Sequence, residues 1–335
     1  MQTQLGVALG LLLLVSGASS GVVVADTIVS LPPGLNPVHS SVSVRSGGNV
    51  ALVAVDSAGS SSVVQLRANE AGYSIRTTRL AGNVISVEYS PDASFVIAHH
   101  LVASGKAISL LDDAGDVRWT KLDDKGSYFF SSTGEAVFAW AAGDQYSGET
   151  VAVFSLTGDY LGRLKVGARV DAALALGPGS TVVVASRHSL TMYDLGAEAR
   201  VLWRRVLDTR YPPVSELLPA GGGRILVRMQ GGWTLLLDGS GNSLFSYEPP
   251  TLAANDPERD ADDYMRFKAC PLNPALGIMF FDGTDEALQL VGPPWSLVER
   301  RINAFGPPGF STPDCVQDDR LVFLGGGEVR IRLVE

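Results

Sequence analysis

The chain has 335 residues, of which 46% are hydrophobic and 18% charged, so it can bury one large core or two small ones. Its net charge of -9 argues against a nucleic-acid partner, because phosphate binding needs clustered Lys and Arg. The densest basic spots, Arg204–Arg205 and Arg300–Arg301, adjoin predicted strands, where solvated edge charges are the commoner reading.

The first charged side chain is Asp26, and before it Leu5–Val15 is an apolar run with four consecutive leucines. Small residues follow from Ser16 to Gly21, so the segment reads as a secretory signal with cleavage after Ala18 or Ala25. Met1–Gln4 carries no Lys or Arg, and uncleaved Leu5–Ala25 would supply 21 uncharged residues, about enough to span a bilayer. Residues 1–25 are therefore expected to be a signal peptide or a membrane anchor. Residues 26–335 would be a single domain outside the cytoplasm: secreted, periplasmic or at the cell surface. Any membrane contact would come only through a retained N-terminal segment.

Downstream, tight polar turns recur at Ser46–Asn49, Ser90–Ser94, Ser131–Glu135, Gly177–Ser180, Ala220–Gly223, Asn273–Ala275 and Gln317–Asp319. Their starts lie 44, 41, 46, 43, 53 and 44 residues apart. Each introduces a strand-like run: Val50–Val55, Phe95–Ala98, Ala136–Ala141, Thr181–Ala185, Arg224–Val227, Leu276–Phe281 and Leu321–Leu324. A second landmark is a hairpin glycine, at Gly72, Gly115 and Gly158 and later at Gly241, where a positive φ costs least. The strand after the turn carries an aromatic (Trp119, Trp203 or Phe245) placed to fill the gap between adjacent units.

Seven units of this length without helical periodicity predict an all-β fold, a β-propeller of seven four-stranded blades. The blades would be 36–82, 83–123, 124–167, 168–208, 209–250, 251–305 and 306–335. The last is short of a strand, and residues 27–31 are expected to supply it from the N-terminal side, removing an open edge. Residues Ser90–Ile97 and Ser109–Trp119 carry a resemblance to the broad superfamily of WD-repeat, quinoprotein-type (PQQ-like) and surface-layer propellers, over residues 27–335. The resemblance implies a fold and no particular chemistry. The quinoprotein-like motif occurs well only once, so no bound quinone is expected.

Innermost strands line a propeller's channel, and the segments before the turns offer His39, Glu88, Asp171, Glu216, Lys268 and Asp314. Such a mixed ring can bind a metal, a sugar or a peptide, although solvated polarity without a ligand is commoner. Lactonase-type propellers use channel acids to hold Ca²⁺, a hard cation wanting six to eight oxygens. The loop at 255–263 could chelate Ca²⁺ through Asp256, Glu258, Asp260 and Asp262, but it lacks the D-x-[DN]-x-[DN]-G spacing. His99 and His100 should point to opposite faces of a strand and cannot share one metal. No cofactor is expected, with Ca²⁺ the one ion worth testing. Cys270 and Cys315 lie at matching places before consecutive turns, and an oxidising compartment would permit a disulfide between neighbouring blades.

Three functions fit these features. The first is a noncatalytic exported propeller that binds or scaffolds a protein or glycan at the cell surface or in the periplasm. The second is a metal-dependent, lactonase-like hydrolase or lyase using channel carboxylates. The third is an anchored subunit of a surface filament or envelope layer.

Overall fold

The computed structural model describes residues 23–123, 126–131, 134–141, 150–165, 170–176, 181–186, 188–194, 200–248, 268–271, 278–281, 286–291, 295–301 and 320–334. Among these, apart from two single 3-10 turns, every regular element is a strand. Sheet I is β2 (Asn36–Arg45), β3 (Asn49–Val55), β4 (Ser61–Asn69) and β5 (Gly72–Thr78). Sheet II is β6 (Asn83–Tyr89), β7 (Phe95–Val102), β8 (Gly105–Asp112) and β9 (Val117–Asp123). Sheet III holds β10 (Gly126–Phe130), β11 (Ala136–Ala141), β12 (Thr150–Ser155) and β13 (Tyr160–Lys165). Sheet IV holds β14 (Ala172–Leu176), β15 (Thr181–Ser186), β16 (Ser189–Asp194) and β17 (Arg200–Val206). Sheet V holds β18 (Val214–Pro219), β19 (Ile225–Met229), β20 (Thr234–Leu237) and β21 (Ser243–Tyr247). Sheet VI is β22 (Lys268–Pro271), β23 (Ile278–Phe281), β24 (Glu286–Val291) and β25 (Ser296–Arg301).

All six are antiparallel meanders of four strands, and each falls inside one of the expected units. A further sheet, VII, is assembled from both ends of the chain. Its described strands are β26 (Arg320–Gly325), β27 (Glu328–Val334) and β1 (Val23–Ser30), in the order β1-β27-β26. Thr27 stands opposite Ile331 and Ser30 opposite Glu328, and the Leu31 amide donates to the Gly327 carbonyl at 2.9 Å.

The core lies between sheets. Along β3, Val50, Leu52 and Ala54 face sheet VII and meet Val322, Leu324, Val329 and Ile331. The alternate residues Ala51 and Val53 face sheet II and meet Val87, Val96, Ala98 and Leu111. A strand buried on both faces explains why this run has no polar alternation. Stacking continues in chain order: Ile97, Ile108 and Leu110 on Phe130 and Val137, Phe138 and Val151 on Val182 and Val184, Val183 and Leu190 on Ile225 and Val227. Sheet V then meets Leu290 of sheet VI through Leu226 and Leu236. Full burial of each such aliphatic stabilises by roughly 1.5–3 kcal/mol.

The recurring turns have one chemistry. In Asp112–Asp116 the Asp112 carboxylate accepts the Ala114 and Asp116 amides at 2.9 and 2.8 Å, and the Gly115 amide donates to the Asp112 carbonyl at 3.0 Å. Asp238 holds Ser240, Gly241 and Asn242 in the same way. Ser155 replaces the Asp in sheet III and accepts the Asp159 amide at 3.0 Å. Gly115, Gly158 and Gly241 have φ of +82°, +86° and +82°, the left-handed region that glycine enters without penalty.

Four of the outermost strands share a second device. In β9, β13, β17 and β21 the register slips by one residue, leaving Arg118, Leu161, Leu202 and Leu244 as bulges. The slip re-aims the next side chain and breaks the regularity of the edge. Trp119 and Trp203 therefore reach the following sheet, where their indole N–H groups donate to Leu156 O at 2.8 Å and Gly239 O at 3.0 Å. Phe245, after the bulge at Leu244, packs with the cluster that includes Leu290 of sheet VI. The aromatic periodicity thus has the inter-sheet role expected of it. In sheet III the equivalent position is Gly162, and no aromatic follows the bulge.

Candidate functional site

The first strands pack against one another: β2 against β6, and β14 against β18. The contact between β2 and β6 uses side chains. Ser43 Oγ accepts the Tyr89 amide at 2.9 Å, while Arg45 donates to the Tyr89 carbonyl from Nε at 3.2 Å and Nη2 at 3.0 Å. Both backbone polar groups of Tyr89 at the end of β6 are thereby satisfied by the neighbouring sheet.

The same guanidinium reaches Glu88, with Nη2 3.8 Å from Oε1. Burial pushes the Glu88 carboxyl up to about 7, against the opposing pull of Arg45 and of a backbone hydrogen bond at Phe130. The charge of Glu216, on β18, pushes it the same way as burial. A third of the Glu88 side chain still reaches solvent (33%), so water screens part of this effect. Glu216 is itself paired, its Oε2 2.7 Å from Arg228 Nη1. A bulge at Ser215 creates that pair by setting Glu216 opposite Arg228 on β19. The result is a set of two acids and two arginines carried by sheets I, II and V. It offers donors and acceptors together, as amide- or hydroxyl-bearing ligands require.

Of the residues singled out from sequence, Glu88 and Glu216 are brought within electrostatic reach of each other. His39 lies in β2, between Pro37 and Val42, where pairing with β3 is interrupted. Asp171 immediately precedes β14, and its amide donates to Ala185 O at 2.9 Å. Lys268 opens β22 opposite Phe281. Cys270 is on the same strand opposite Met279, whereas Asp314 and Cys315 lie outside the described residues, so the bridge is unplaced. The loop acids Asp256, Glu258, Asp260 and Asp262 also lie outside them. Arg45 and Arg228 were not signalled by any motif. Cross-sheet partnership depends on register, which the spacing of the turns does not reveal.

His99 and His100 take opposite faces. His100 is 1% exposed, with Nδ1 2.7 Å from Ala81 O and Nε2 3.0 Å from Ser109 Oγ, and Ser109 continues to Thr120 at 2.7 Å. His99 instead sets its ring edge-on to Tyr128 at 5.7 Å. Among the described residues, no three His, Cys, Asp or Glu side chains converge in the manner of a metal site.

No protein-family model matches this sequence, and no curated protein does. The fold has many counterparts among solved structures, and it is that of a β-propeller. A chain of the mitotic checkpoint complex superposes with a TM-score of 0.62 at 11% identity, over 97% of this chain and 100% of that one. The WD40 β-propeller domain of Doa1 gives 0.57 at 16%, over 92% of this chain and 98% of that one. PorZ, described as an essential bacterial surface component of the type-IX secretion system of Porphyromonas gingivalis, gives 0.53 at 14%, over 92% of this chain but 38% of that one. At such identities the likeness concerns the fold alone.

Proposed function

We propose that this chain is an exported, noncatalytic propeller that binds a protein or glycan at the cell envelope and acts as a scaffold. The observation that carries the reading is the mixed set of Arg45, Glu88, Glu216 and Arg228, held by the first strands of sheets I, II and V and the adjoining β19. Its two Arg–Glu pairs balance in charge, which suits recognition of polar, net-neutral surfaces better than capture of a bare ion. WD40 propellers among the structural neighbours support an interaction module in general, and the surface role of PorZ supports the envelope. A lactonase-like hydrolase would want both carboxylates free for Ca²⁺, yet each already has an arginine beside it.

The test is crosslinking of the whole chain to an envelope fraction, followed by identification of what is captured. Arg228→Glu should lower capture at least tenfold, and the double swap with Glu216→Arg should restore part of it. Unchanged capture in Arg228→Glu, with loss on deletion of residues 251–263, would move the interface to the acidic loop. Bound Ca²⁺ surviving dialysis, together with turnover of lactones, would replace the binding reading by the hydrolase. Intact mass of the native protein decides export: a start between Ser19 and Asp26 supports a cleaved signal. Met1 retained on membrane-bound protein would support the anchored envelope subunit.

A further inference from the structure

Solvent-exposed large apolar side chains are not spread evenly over the molecule. Of the ten among the described residues, seven lie on three consecutive outermost strands: Val117 and Leu122 on β9, Tyr160 and Leu161 on β13, and Val201, Leu202 and Val206 on β17. By contrast, the residues exposed on β5 are Ser74, Arg76 and Thr77, and those on β21 are Ser243 and Ser246. The feature is strongest in β17, where Val206 is 74% exposed, Val201 58% and Leu202 50%. This strand ends its sheet, so one edge of its backbone meets no described strand. Past the bulge at Leu202, Trp203 to Val206 run in unbroken register opposite Met192 to Ser189. Trp203 and Arg205 turn toward sheet V and donate to its Gly239 and Gly241 carbonyls. Arg204 and Val206 alternate to the other face, where both are exposed. Of the three arginines on β17, only Arg200 has a carboxylate partner among the described residues, Asp194 at 3.1 Å.

We propose that the outer edge of β17 receives an extended segment of a partner protein as an added strand, acidic opposite Arg204 and apolar opposite Val206. Charges that merely guard an edge stand in place of apolar side chains, whereas here they alternate with them. The open backbone groups of an edge are satisfied by a ladder and would go unpaired in hydrocarbon, which favours a strand over a membrane. Arginines without a carboxylate call for an acid across the ladder, and valine packs best against an apolar neighbour. A second copy of β17 would set arginine against or beside arginine, where like charges repel. The edge is separate from Arg45, Glu88, Glu216 and Arg228, which lie on β2, β6, β18 and β19.

Fluorescence anisotropy of the whole chain with the labelled peptide Val-Thr-Glu-Thr-Val-Thr-Glu-Thr tests this. Binding is expected, and Arg204→Glu should weaken it about tenfold. A peptide with Lys in place of Glu should bind the natural chain poorly and the Arg204→Glu variant better. Two further peptides, N-methylated on one or the other set of alternate amides, probe the ladder without altering the protein. The set whose blocked amides face β17 should lose binding, and the other should keep it. No binding of the parent peptide, equal behaviour of the two methylated peptides, or undiminished binding by Arg204→Glu would overturn the proposal. Binding to phosphatidylserine vesicles that Arg204→Glu abolishes, with none to the peptide, would overturn it too and make this rim a membrane face.

Discussion

Two junctions between neighbouring sheets are built on the same turn and covered by different chemistry. Between sheets IV and V, Trp203 lies over Gly241, its indole donating to Gly239 O, and Arg205 donates to Gly241 O at 2.6 Å and Ser243 Oγ at 2.7 Å. Between sheets I and II the cover is a hydroxyl: Thr78 Oγ1 donates to Gly115 O at 2.8 Å, flanked by Gln65 and Arg67. The difference traces to the outer strand. In β17 a bulge at Leu202 turns Trp203 toward the next sheet, whereas β5 pairs with β4 in unbroken register and presents the small Thr78. The turn sets where a neighbour docks, and the register of the preceding strand sets what docks there.

Adding a methyl group to each turn should separate the two most strongly. In Gly241→Ala the new Cβ would meet Trp203 ring atoms at 3.0–3.2 Å, at a φ of +82°. Left-handed strain plus overlap with a rigid ring should cost about 3 kcal/mol in denaturant unfolding. In Gly115→Ala the nearest atom is the Thr78 hydroxyl at 2.8 Å, the tip of a side chain that can rotate, so about 2 kcal/mol is expected. Equal losses would show that cover does not matter.

The inner end of the I/II junction should respond to pH. Because folding raises the Glu88 carboxyl from 4.5 to about 7, its contribution is full below 4.5 and is lost as pH rises through 7. Glu88→Gln should therefore gain stability relative to the natural chain as pH climbs across that window. A difference that is flat from pH 4.5 to 8 would mean that the carboxyl is not desolvated.

Removing one hydrogen bond per junction is a finer probe. Trp203→Phe and Thr78→Val should each cost about 1 kcal/mol, with Thr78→Ser close to the natural chain. The smallest change should come from Ala93→Gly. Ala93 sits at φ +57° where the matching turn has Gly134 at +76°, so relief of strain opposes loss of a buried methyl. The net should stay within about 0.5 kcal/mol.

Much of this architecture is legible in the sequence. Ser90 and Ser131 begin equivalent turns, each closing on itself through its hydroxyl, and Trp119 and Trp203, two units apart, each seal their sheet to the next. The candidate site was half legible. Glu88 and Glu216 could be named because acids before a turn fall on first strands. Their partners could not, because bulges at Ile85 and Ser215 shift facing residues by one, and simple alternation fails beyond such a point.

The pairing of Val23–Ser30 with Glu328–Val334 also imposes an order in time. Each meander of sheets I to VI can form from a short stretch of chain as soon as it is synthesised. The first strand has no such freedom, because its partner is made about 300 residues later, roughly 15–60 s at ordinary elongation rates. During that interval an apolar strand with an open edge must be kept from other chains, whether by a chaperone or by passage through a translocase. Biogenesis, more than final stability, is then the stage at which Val23–Ser30 is most vulnerable to substitution.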